Sequence, residues 1–567
     1  MNKILLVAIN AKYIQSSLAV RSLYAYLSEE EKKYVDVLEF TINQSEDLIL
    51  SEIVERKPKI LALSCYIWNI DLIREIVSTF SRIKPNVPII LGGPEVSFYE
   101  FGYEFDGYNN DYLIVKGEGE RIFKTIVQNF MGGKEVLKSR IITSFDTNNQ
   151  LKLEEIPFPY DNNPNDFKDL ENRLIYYESS RGCISKCAFC LAPTTGKVRF
   201  LPMPRVKEDL LKFLSANVKQ VKFVDRTFNC DRQRAMEIWE FLIKNDNNIT
   251  NFHFEIDANL LDFGQLDFLS KVRKGLFQFE IGIQSTNKKT LEESGRNPCP
   301  NHALNFAKSL RDANNIHLHL DLIVGLPYET KKTFRKSFND VMYCYPHKLQ
   351  VGFLKMIKGC KFERFDHDGY GFVFRDKAPY EIIETNDMSF ENINQIKKIE
   401  AMVDMFYNSK GFECSIKYLM YAFHTPYDFF YFLAMYWYKN KYHLVSHKKF
   451  SLYTILYEFL FEFCKENGFI TERPREICEL LKFDMLRQDN IRTYPSWIES
   501  YYSYDSKQVT RTTAIHSFDY DVYSWLQVMP LSRGWGSIRV SSLKQQEIKI
   551  LFDYSKQGDE RCHVLCN

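Results

Sequence analysis

Some residue types and patterns are scarce in this 567-residue sequence, and each scarcity excludes a class of protein. Basic and acidic residues are almost equal, 74 against 73, so no excess charge draws the chain to nucleic acid or to an anionic membrane surface. The densest apolar run, residues 429–438, is shorter than the roughly 20 residues that a membrane span needs, and it predicts a buried helix. Thirteen cysteines without a secretory signal favour a cytoplasmic protein with free thiols.

Three more absences bear on cofactors. No Gly-x-Gly-x-x-Gly follows the first predicted strand, which argues against a dinucleotide site. The first histidine of the chain is His253, so no imidazole from the preceding residues can ligate a metal. Only Cys65 precedes Cys183, so the N-terminal part cannot supply the cysteines of a second metal cluster.

The first 135 residues alternate apolar strands with helical patterns. Continuous apolar strands between helices predict an α/β fold with a doubly wound parallel sheet that is covered on both faces. Ligands of such sheets bind at the carboxyl ends of the strands, where this chain has glycines and small polar residues. The predicted strands are residues 4–9, 35–40, 60–64, 88–91 and 112–115.

The most specific motif is a group of three cysteines, Cys183, Cys187 and Cys190, within one short loop. Thiolates at this spacing suit three irons of a cubane iron–sulfur cluster and leave the fourth iron open. A structural zinc site would normally show four ligands in two close pairs, and the nearest other cysteines are Cys65 and Cys230.

The cysteine loop resembles the Cys-x3-Cys-x-aromatic-Cys loop of the radical S-adenosylmethionine (SAM) superfamily, with Phe189 at the aromatic position. The resemblance implies a [4Fe–4S] cluster whose open iron binds SAM. It also implies reductive cleavage of SAM to a 5′-deoxyadenosyl radical, with an external electron donor such as flavodoxin or ferredoxin.

The N-terminal region resembles the cobalamin-binding domain that precedes the barrel in B12-dependent radical SAM proteins, above all at Gly92-Gly-Pro-Glu95 and Gly117-Glu-Gly-Glu120. Because histidine is absent there, the resemblance implies base-off cobalamin with its lower face empty or facing Gln15 or Tyr66. The residues implied in cobalamin binding are Asn10, Gln15, Ser16, Ser64, Tyr66, Gly92, Gly93, Pro94, Glu95, Gly117, Glu118 and Gly119.

Strand–helix alternation resumes at about residue 165 and resembles the partial (β/α)6 barrel of radical SAM enzymes. The segments Gly282-Ile-Gln-Ser285 and Asp321-Leu-Ile-Val-Gly-Leu-Pro-Tyr-Glu329 are similar to conserved segments of that superfamily. By this resemblance the SAM-binding residues are Phe189, Thr227, Glu280, Gln284, Arg296 and Val324.

The predicted domains are a cobalamin-binding domain (1–135), a linker (136–164), the barrel (165–355) and a mainly helical, aromatic-rich C-terminal domain (356–567). The last resembles the uncharacterised extra domain of one branch of B12-dependent radical SAM proteins. Cys562 and Cys566, near the end of the chain, form a weak candidate for a second metal site.

The resemblance favours an enzyme that methylates an unactivated carbon of an unknown substrate. Two alternatives stay open: rearrangement or cyclisation with the same cofactors, and a non-catalytic corrinoid sensor or carrier. A methylthiotransferase is disfavoured, because that group needs a second cluster from N-terminal cysteines.

Overall fold

The computed structural model describes residues 3–98, 111–136, 141–144, 151–161, 166–364, 369–464, 466, 474–489, 491, 494–499, 512–527, 543–556 and 558–565. The chain divides into two compact units. The first comprises Met1–Glu329 and Gly352–Ser389, and the second comprises Thr330–Val351 and Phe390–Asn567. Cys566 lies outside the described residues.

A parallel sheet of six strands forms the N-terminal part of the first unit. Its strands are β1 (Ile4–Asn10), β2 (Val35–Thr41), β3 (Ile60–Ser64), β4 (Ile89–Gly92), β5 (Tyr112–Lys116) and β6 (Ile141–Thr143). The strand order is β2-β1-β3-β4-β5-β6. The short β6 lies within residues 136–164, the stretch that the sequence assigns to a linker.

Both faces of this sheet are covered, which explains why its strands are apolar at consecutive positions. The covering helices are α1 (Leu18–Ala25), α2 (Glu29–Lys32), α3 (Glu46–Glu55), α4 (Ile70–Ile83), α5 (Pro94–Ser97) and α6 (Glu120–Met131). Leu5 and Val7 of β1 pack with α3 and α4 on one face. Leu6 and Ala8 pack with α1 and α6 on the other. The chain runs outward from β1 to β2 and then back to β3, so the strand order reverses between β1 and β3, where such folds open a ligand crevice.

A second six-stranded sheet follows, with α7 (Asp166–Asp169) ahead of its first strand. Its strands are β7 (Ile175–Tyr177), β10 (Gln220–Phe223), β11 (Asn251–Ile256), β12 (Phe277–Gln284), β13 (His317–Val324) and β14 (Lys348–Phe353), and a hairpin of β8 (Ser180–Arg181) and β9 (Arg199–Phe200) interrupts the series. Their spatial order is their order along the chain, with parallel pairing from β7 to β13, as in an open βα barrel. The helices that follow the strands are α8 (Met203–Ser215), α9 (Arg232–Lys244), α10 (Phe263–Ser270), α11 (Lys288–Glu293), α12 (Pro300–Ala313) and α13 (Lys331–Met342).

The two faces of this second sheet differ in character. Along β12 the residues alternate between buried and half-buried positions. Phe279 faces the helices and packs on Trp239 of α9, with ring centroids 5.7 Å apart. Glu280 and Gln284 point to the other side. The inner face of the barrel is therefore polar while its outer face forms the aromatic core.

The first unit ends with α14 (Lys361–Arg364), β15 (Val373–Phe374) and β16 (Ile382–Glu384). This tail returns to the N-terminal domain: Tyr380 is buried and its hydroxyl donates to the buried carboxylate of Glu95. Gly359 approaches the ring of Phe98 so closely that a Cβ there would overlap it. Residues 352–389 therefore pack as part of the first unit.

The second unit is mainly helical. Its C-terminal helices are α15 (Phe390–Met402, continued by a π-helical turn at Val403–Asn408), α16 (Glu413–Ala422), α17 (Pro426–Lys439), α18 (Lys449–Glu458), α19 (Pro474–Gln488), α20 (Ser496–Glu499) and α21 (Val522–Gln527). The apolar run at 429–438 lies inside α17, and Phe429, Leu433 and Trp437 are buried, as predicted. Among the described residues no helix has both the length and the hydropathy to cross a bilayer.

An antiparallel sheet, which the sequence did not predict, completes the second unit. Its strands are β17 (Thr513–Tyr520), β18 (Gln545–Asp553) and β19 (Cys562–Leu565), with β18 in the middle. Cys562 is buried in β19.

Candidate active site

The cysteine loop connects the two strands of the β8–β9 hairpin. Ser180 pairs with Phe200 and Arg181 with Arg199, so the two ends of the loop are held together. Gly182 opens the loop with φ +106°, and a Cβ on it would lie 3.0 Å from the carbonyl oxygen of Lys197. Only glycine can adopt this positive φ without strain and leave room for the Lys197 carbonyl.

None of the three cysteines is in a disulfide, and each sulfur accepts a hydrogen bond from an N–H group. The backbone N–H of Ser185 donates to Cys183 Sγ at 3.4 Å, and that of Ala192 donates to Cys190 Sγ at 3.4 Å. The guanidinium of Arg296 lies 3.6 Å from Cys187 Sγ. Such donors stabilise negative charge on sulfur, so the loop fits a thiolate-bound iron–sulfur cluster.

Burial and charge act in opposite directions at the middle cysteine. Burial raises the pKa of the Cys187 thiol, and the charge of Arg296 opposes that rise. Burial also raises the pKa of Cys230 to about 11, which keeps this nearby thiol protonated. Thr227 places its hydroxyl 3.4 Å from Cys183 Sγ. Thr227 and Cys230 thus both lie near Cys183.

Two of the residues predicted to bind SAM meet next to Cys187. Arg296 donates to the carbonyl oxygen of Gly282 at 2.6 Å. The amide of Gln284 folds over Gly282 so closely that a Cβ there would overlap it. The Oε1 atom of Gln284 is buried and accepts no hydrogen bond from any described residue. This carbonyl is an open acceptor for a ligand hydroxyl.

The other predicted SAM residues lie further along the barrel. Phe189 belongs to the cysteine loop itself. Val324 is buried at the end of β13, directly before Gly325, whose φ is +89°. Glu280 lies two residues before Gly282 on the same face of β12. Its side chain belongs to a cluster of charged side chains that includes Lys222 and His253.

That cluster occupies the polar inner face of the barrel. The ammonium of Lys222 lies 2.8 Å from Glu280, and His253 lies 3.0 Å from the same carboxylate. His319 Nε2 lies 3.0 Å from Asp321 Oδ1. Burial alone would raise the pKa of Glu280, but His253 and Lys222 outweigh it, so the pKa falls well below its ordinary value. Glu280 is therefore a fixed carboxylate.

Lys222 and His253 are missing from the sequence-predicted site. Their only signal is alternation, since each is a polar residue between two buried ones. That pattern reveals an inward-facing position but does not reveal its partners.

A cavity of about 580 Å³ joins the first sheet to the cysteine loop. The loops after β1, β3, β4 and β5 line one side, and residues of β7, the β8–β9 hairpin and the cysteine loop line the other. Of the residues predicted to bind cobalamin, the cavity is lined by Asn10, Gln15, Ser16, Ser64, Tyr66, Gly92, Gly93, Pro94, Gly117, Glu118 and Gly119. Glu95 does not line the cavity, and its carboxylate accepts a hydrogen bond from the hydroxyl of Tyr380.

The floor of the cavity, at the switch point of the sheet, is aromatic. The rings of Tyr66 and Trp68 stack with centroids 4.3 Å apart at an interplanar angle of 9°. Asn69 is buried and donates to the carbonyl oxygens of Ile9 and Ser64, each at 2.9 Å. It thereby ties the loops after β1 and β3, a role that the sequence alone did not indicate.

Of the two residues predicted to face the lower side of cobalamin, Gln15 is already engaged. Its backbone bridges to Leu174, and its side chain lies close to the hydroxyl of Tyr176. Burial raises the pKa of Tyr66 to about 12, so the phenol stays neutral.

Three family models match the chain in succession. The B12 binding domain matches residues 4–127, the radical SAM superfamily matches residues 177–341, and a protein of unknown function (DUF4080) matches residues 368–517.

Relatives of known or assigned activity share part of the chain. It is 24% identical over 320 residues to the cobalamin-dependent radical SAM methyltransferase TokK of Streptomyces tokunonensis, covering 52% of this chain and 46% of TokK. It is 25% identical over 323 residues to the uncharacterized methyltransferase PH0819 of Pyrococcus horikoshii, covering 54% of this chain and 68% of that protein. The chain thus spans about half the length of TokK.

The fold also matches a solved structure, that of the cobalamin-dependent S-adenosylmethionine radical enzyme OxsB with aqua-cobalamin bound. The TM-score is 0.58 at 16% identity, over 86% of this chain and 79% of OxsB. This likeness supports the shared fold.

The chain belongs to the radical SAM proteins that carry an N-terminal B12-binding domain. Within them it belongs to the branch with the C-terminal DUF4080 domain. The predicted fold class is confirmed, and the predicted cofactors, a [4Fe–4S] cluster, SAM and cobalamin, are confirmed as those of this family.

Proposed function

We propose that the chain is a cobalamin-dependent radical SAM methyltransferase that acts on an unactivated carbon. The cavity carries this proposal, because the loops of the B12-binding sheet line one side of it and Gly182, Leu191, Ala192 and Thr194 of the cysteine loop line the other. When bound, the cluster, SAM and cobalamin supply a hydrogen-abstracting radical and a transferable methyl group; the protein holds and orients them.

At the barrel, Cys183, Cys187 and Cys190 hold the cluster, while backbone N–H groups and Arg296 stabilise their negative charge. Gln284 offers its open carbonyl to a hydroxyl of SAM, and Arg296 binds the SAM carboxylate. The backbone at Val324 would flank the adenine, and Thr227 and Phe189 would line the site. Glu280, paired with Lys222 and His253, supplies negative charge to the barrel interior and is the acidic residue predicted to contact SAM.

At the first sheet, the loops after β1, β3, β4 and β5 hold cobalamin. Gly93 and Gly117 adopt φ of +116° and +85°, which lets the backbone approach the corrin closely. If cobalamin is bound base-off, its lower side would face Tyr66 or Gln15, both of which line the cavity. A neutral phenol offers no strong ligand to cobalt.

We infer a reducing, cytoplasmic setting from the cysteines, since those in the described residues are all free thiols. A low-potential donor such as a flavodoxin or ferredoxin would supply the electrons.

The test is anaerobic reconstitution with iron, sulfide, hydroxocobalamin and SAM under a strong reductant, followed by chromatography of the products. We expect cobalamin-dependent S-adenosylhomocysteine together with 5′-deoxyadenosine. Deoxyadenosine without S-adenosylhomocysteine would refute methyl transfer and favour rearrangement or cyclisation. Absence of both products would favour a non-catalytic corrinoid protein.

A further inference from the structure

The hairpin that closes the cysteine loop carries two arginines directly opposite each other. Arg181 on β8 pairs in register with Arg199 on β9. Arg181 lies two residues before Cys183, and Arg199 lies nine residues after Cys190. The base of the cluster-binding loop therefore presents two guanidinium groups side by side.

Both guanidinium groups are paired with the acidic loop, residues 117–120, which follows β5 in the B12-binding sheet. Arg181 lies 2.8 Å from Glu120, and its other nitrogen lies 3.6 Å from Glu118. Arg199 donates to Glu118 Oε2 at 3.3 Å and forms a second, shorter bond to the other oxygen of that carboxylate. Each strand of the hairpin is thus bonded to the same loop.

A third carboxylate completes this network from the barrel side. Glu178 binds Arg181 in a bidentate pair at 2.7 and 2.9 Å. Burial alone would lower the pKa of Arg181, but the charges of Glu120 and Glu178 hold it above its ordinary value. These partners are mostly shielded from water, with side-chain exposures between 7% and 23%. Removing one member would leave a buried charge unpaired, which is far costlier than losing a surface pair.

The network also lies on the wall of the shared cavity. Gly117, Glu118 and Gly119 line the cavity from the cobalamin side, and Arg181 with Gly182 lines it from the cluster side. The charged contacts therefore bridge the loop that would contact the corrin and the loop that would hold the cluster. A bidentate arginine–carboxylate pair fixes orientation as well as distance.

We propose that Arg181 and Arg199 are positioning residues that lock the acidic loop to the base of the cysteine loop and so set the separation of cobalamin from the cluster. This inference rests on the proposed two-cofactor function. It also gives Glu118, one of the residues predicted to bind cobalamin, and Glu120 a role in pairing with the two arginines.

The test compares Arg199→Gln and Arg181→Lys with wild type. The control, Arg121→Gln, removes an exposed arginine–carboxylate pair between α6 and Glu155 of the connecting segment. Iron and cobalamin counts report whether each cofactor still binds. The readout is the dipolar interaction between Co(II) and the reduced cluster, measured by electron paramagnetic relaxation enhancement.

In wild type and in the control we expect a strong dipolar interaction. In Arg199→Gln and Arg181→Lys we expect both cofactors at near wild-type content, a weaker interaction, and a ratio of S-adenosylhomocysteine to 5′-deoxyadenosine lower by at least about tenfold. The conservative variant Arg199→Lys, which keeps the charge opposite Glu118, should retain more of the interaction than Arg199→Gln does, and equal losses in the two variants would contradict the role of this charge.

An interaction that is absent from wild type, or unchanged in both single variants with cofactors bound, would overturn the proposal. Wild-type protein that binds no cobalamin or forms no cluster would instead defeat the proposed function, so the two failures can be told apart.

Discussion

At the scale of single residues, the site depends on groups that stabilise charge on sulfur. Cys183 and Cys190 accept N–H bonds from their own loop, whereas Cys187 relies on Arg296, more than a hundred positions away in the sequence. Two of the three sulfurs thus take their hydrogen-bond donors from the loop itself, and the third takes its donor from the barrel.

Replacing Cys183, Cys187 or Cys190 by alanine removes one of three proposed iron ligands, so we expect loss of the visible absorbance of the cluster and loss of 5′-deoxyadenosine formation. Cobalamin binding, measured by the spectrum of the retained corrinoid, should persist. Cys299→Ala is the matched control, because this cysteine is exposed and distant from the loop in sequence. Wild-type SAM cleavage in any of the three variants would disprove the ligand assignment.

How far single residues could be predicted depends on the range of their contacts. The cysteine spacing and the glycine loops are local signals, and the structure places the glycine loops and neighbours of the cysteines, such as Gly182 and Ala192, on one cavity. Glu95 and Glu118 belong to the same recognisable loops, yet their partners, Tyr380 and Arg199, are set by tertiary packing that no local pattern encodes.

At the scale of elements, turns between strand and helix govern the cofactor cavity. After β4 the chain turns at Gly93 so tightly that a Cβ would lie 2.4 Å from the carbonyl oxygen of Cys65. The strands themselves were readable from their apolar runs, because both faces of the sheet are buried. The sheet of β17–β19 was not predicted, although buried residues alternate along β17 and β18, because the helical pattern of the preceding residues was extended over the whole C-terminal domain.

Gly93→Ala should destabilise the protein by about 3 kcal/mol, because it adds backbone strain at φ +116° to a steric overlap. We also expect weaker cobalamin binding. Gly133→Ala is the control: it too has a positive φ, +64°, but open space around the added methyl group, and should cost about 1 kcal/mol. Unfolding in urea and a cobalamin titration measure the two effects. Equal losses in both variants would contradict the role of the overlap.

The strand β17 carries a buried histidine that makes stability depend on pH. Burial lowers the pKa of His516 to about 4, with Lys482 adding to the effect. The unfolded chain therefore binds a proton at higher pH than the folded chain does. Stability from this group is complete above pH 6.5 and is lost as the pH falls toward 4.

Relative to His516→Phe, the free energy of unfolding of the wild type should rise by about 3 kcal/mol between pH 4 and pH 6.5. Phenylalanine keeps the ring packing against Phe552, whose centroid lies 5.6 Å away. Chemical denaturation across this pH range measures the difference. Parallel curves for the two proteins would show that His516 is not held neutral.

At the scale of the whole molecule, the chain closes on itself within the first unit. Residues 352–389 return from the barrel to the B12-binding sheet, where Tyr380 caps Glu95 and Gly359 meets Phe98. The loop after β5 is therefore held by the β8–β9 hairpin, and the segment after β4 is held by residues 352–389.

Tyr380→Phe removes the hydroxyl that serves a buried carboxylate, so we expect a loss of about 1–3 kcal/mol in stability and weaker retention of cobalamin. Tyr370→Phe is the control, since its hydroxyl donates to the carboxylate of Glu293 in a less buried pair of the same tail. Thermal melting and a cobalamin titration distinguish the two. A Tyr380→Phe protein with unaltered affinity and melting would show that the cap is dispensable.

The tail also bears on how such a protein can be taken apart or recombined. The DUF4080 match begins at residue 368, yet the residues up to Ser389 pack in the first unit, and Ile382 fills the space beside Gly325 at the end of β13. A graft or deletion cut at residue 368 would remove Tyr380, which bonds Glu95, and Ile382, which packs beside Gly325. The start of the DUF4080 match at residue 368 therefore does not coincide with the end of the first folded unit, which lies at Ser389.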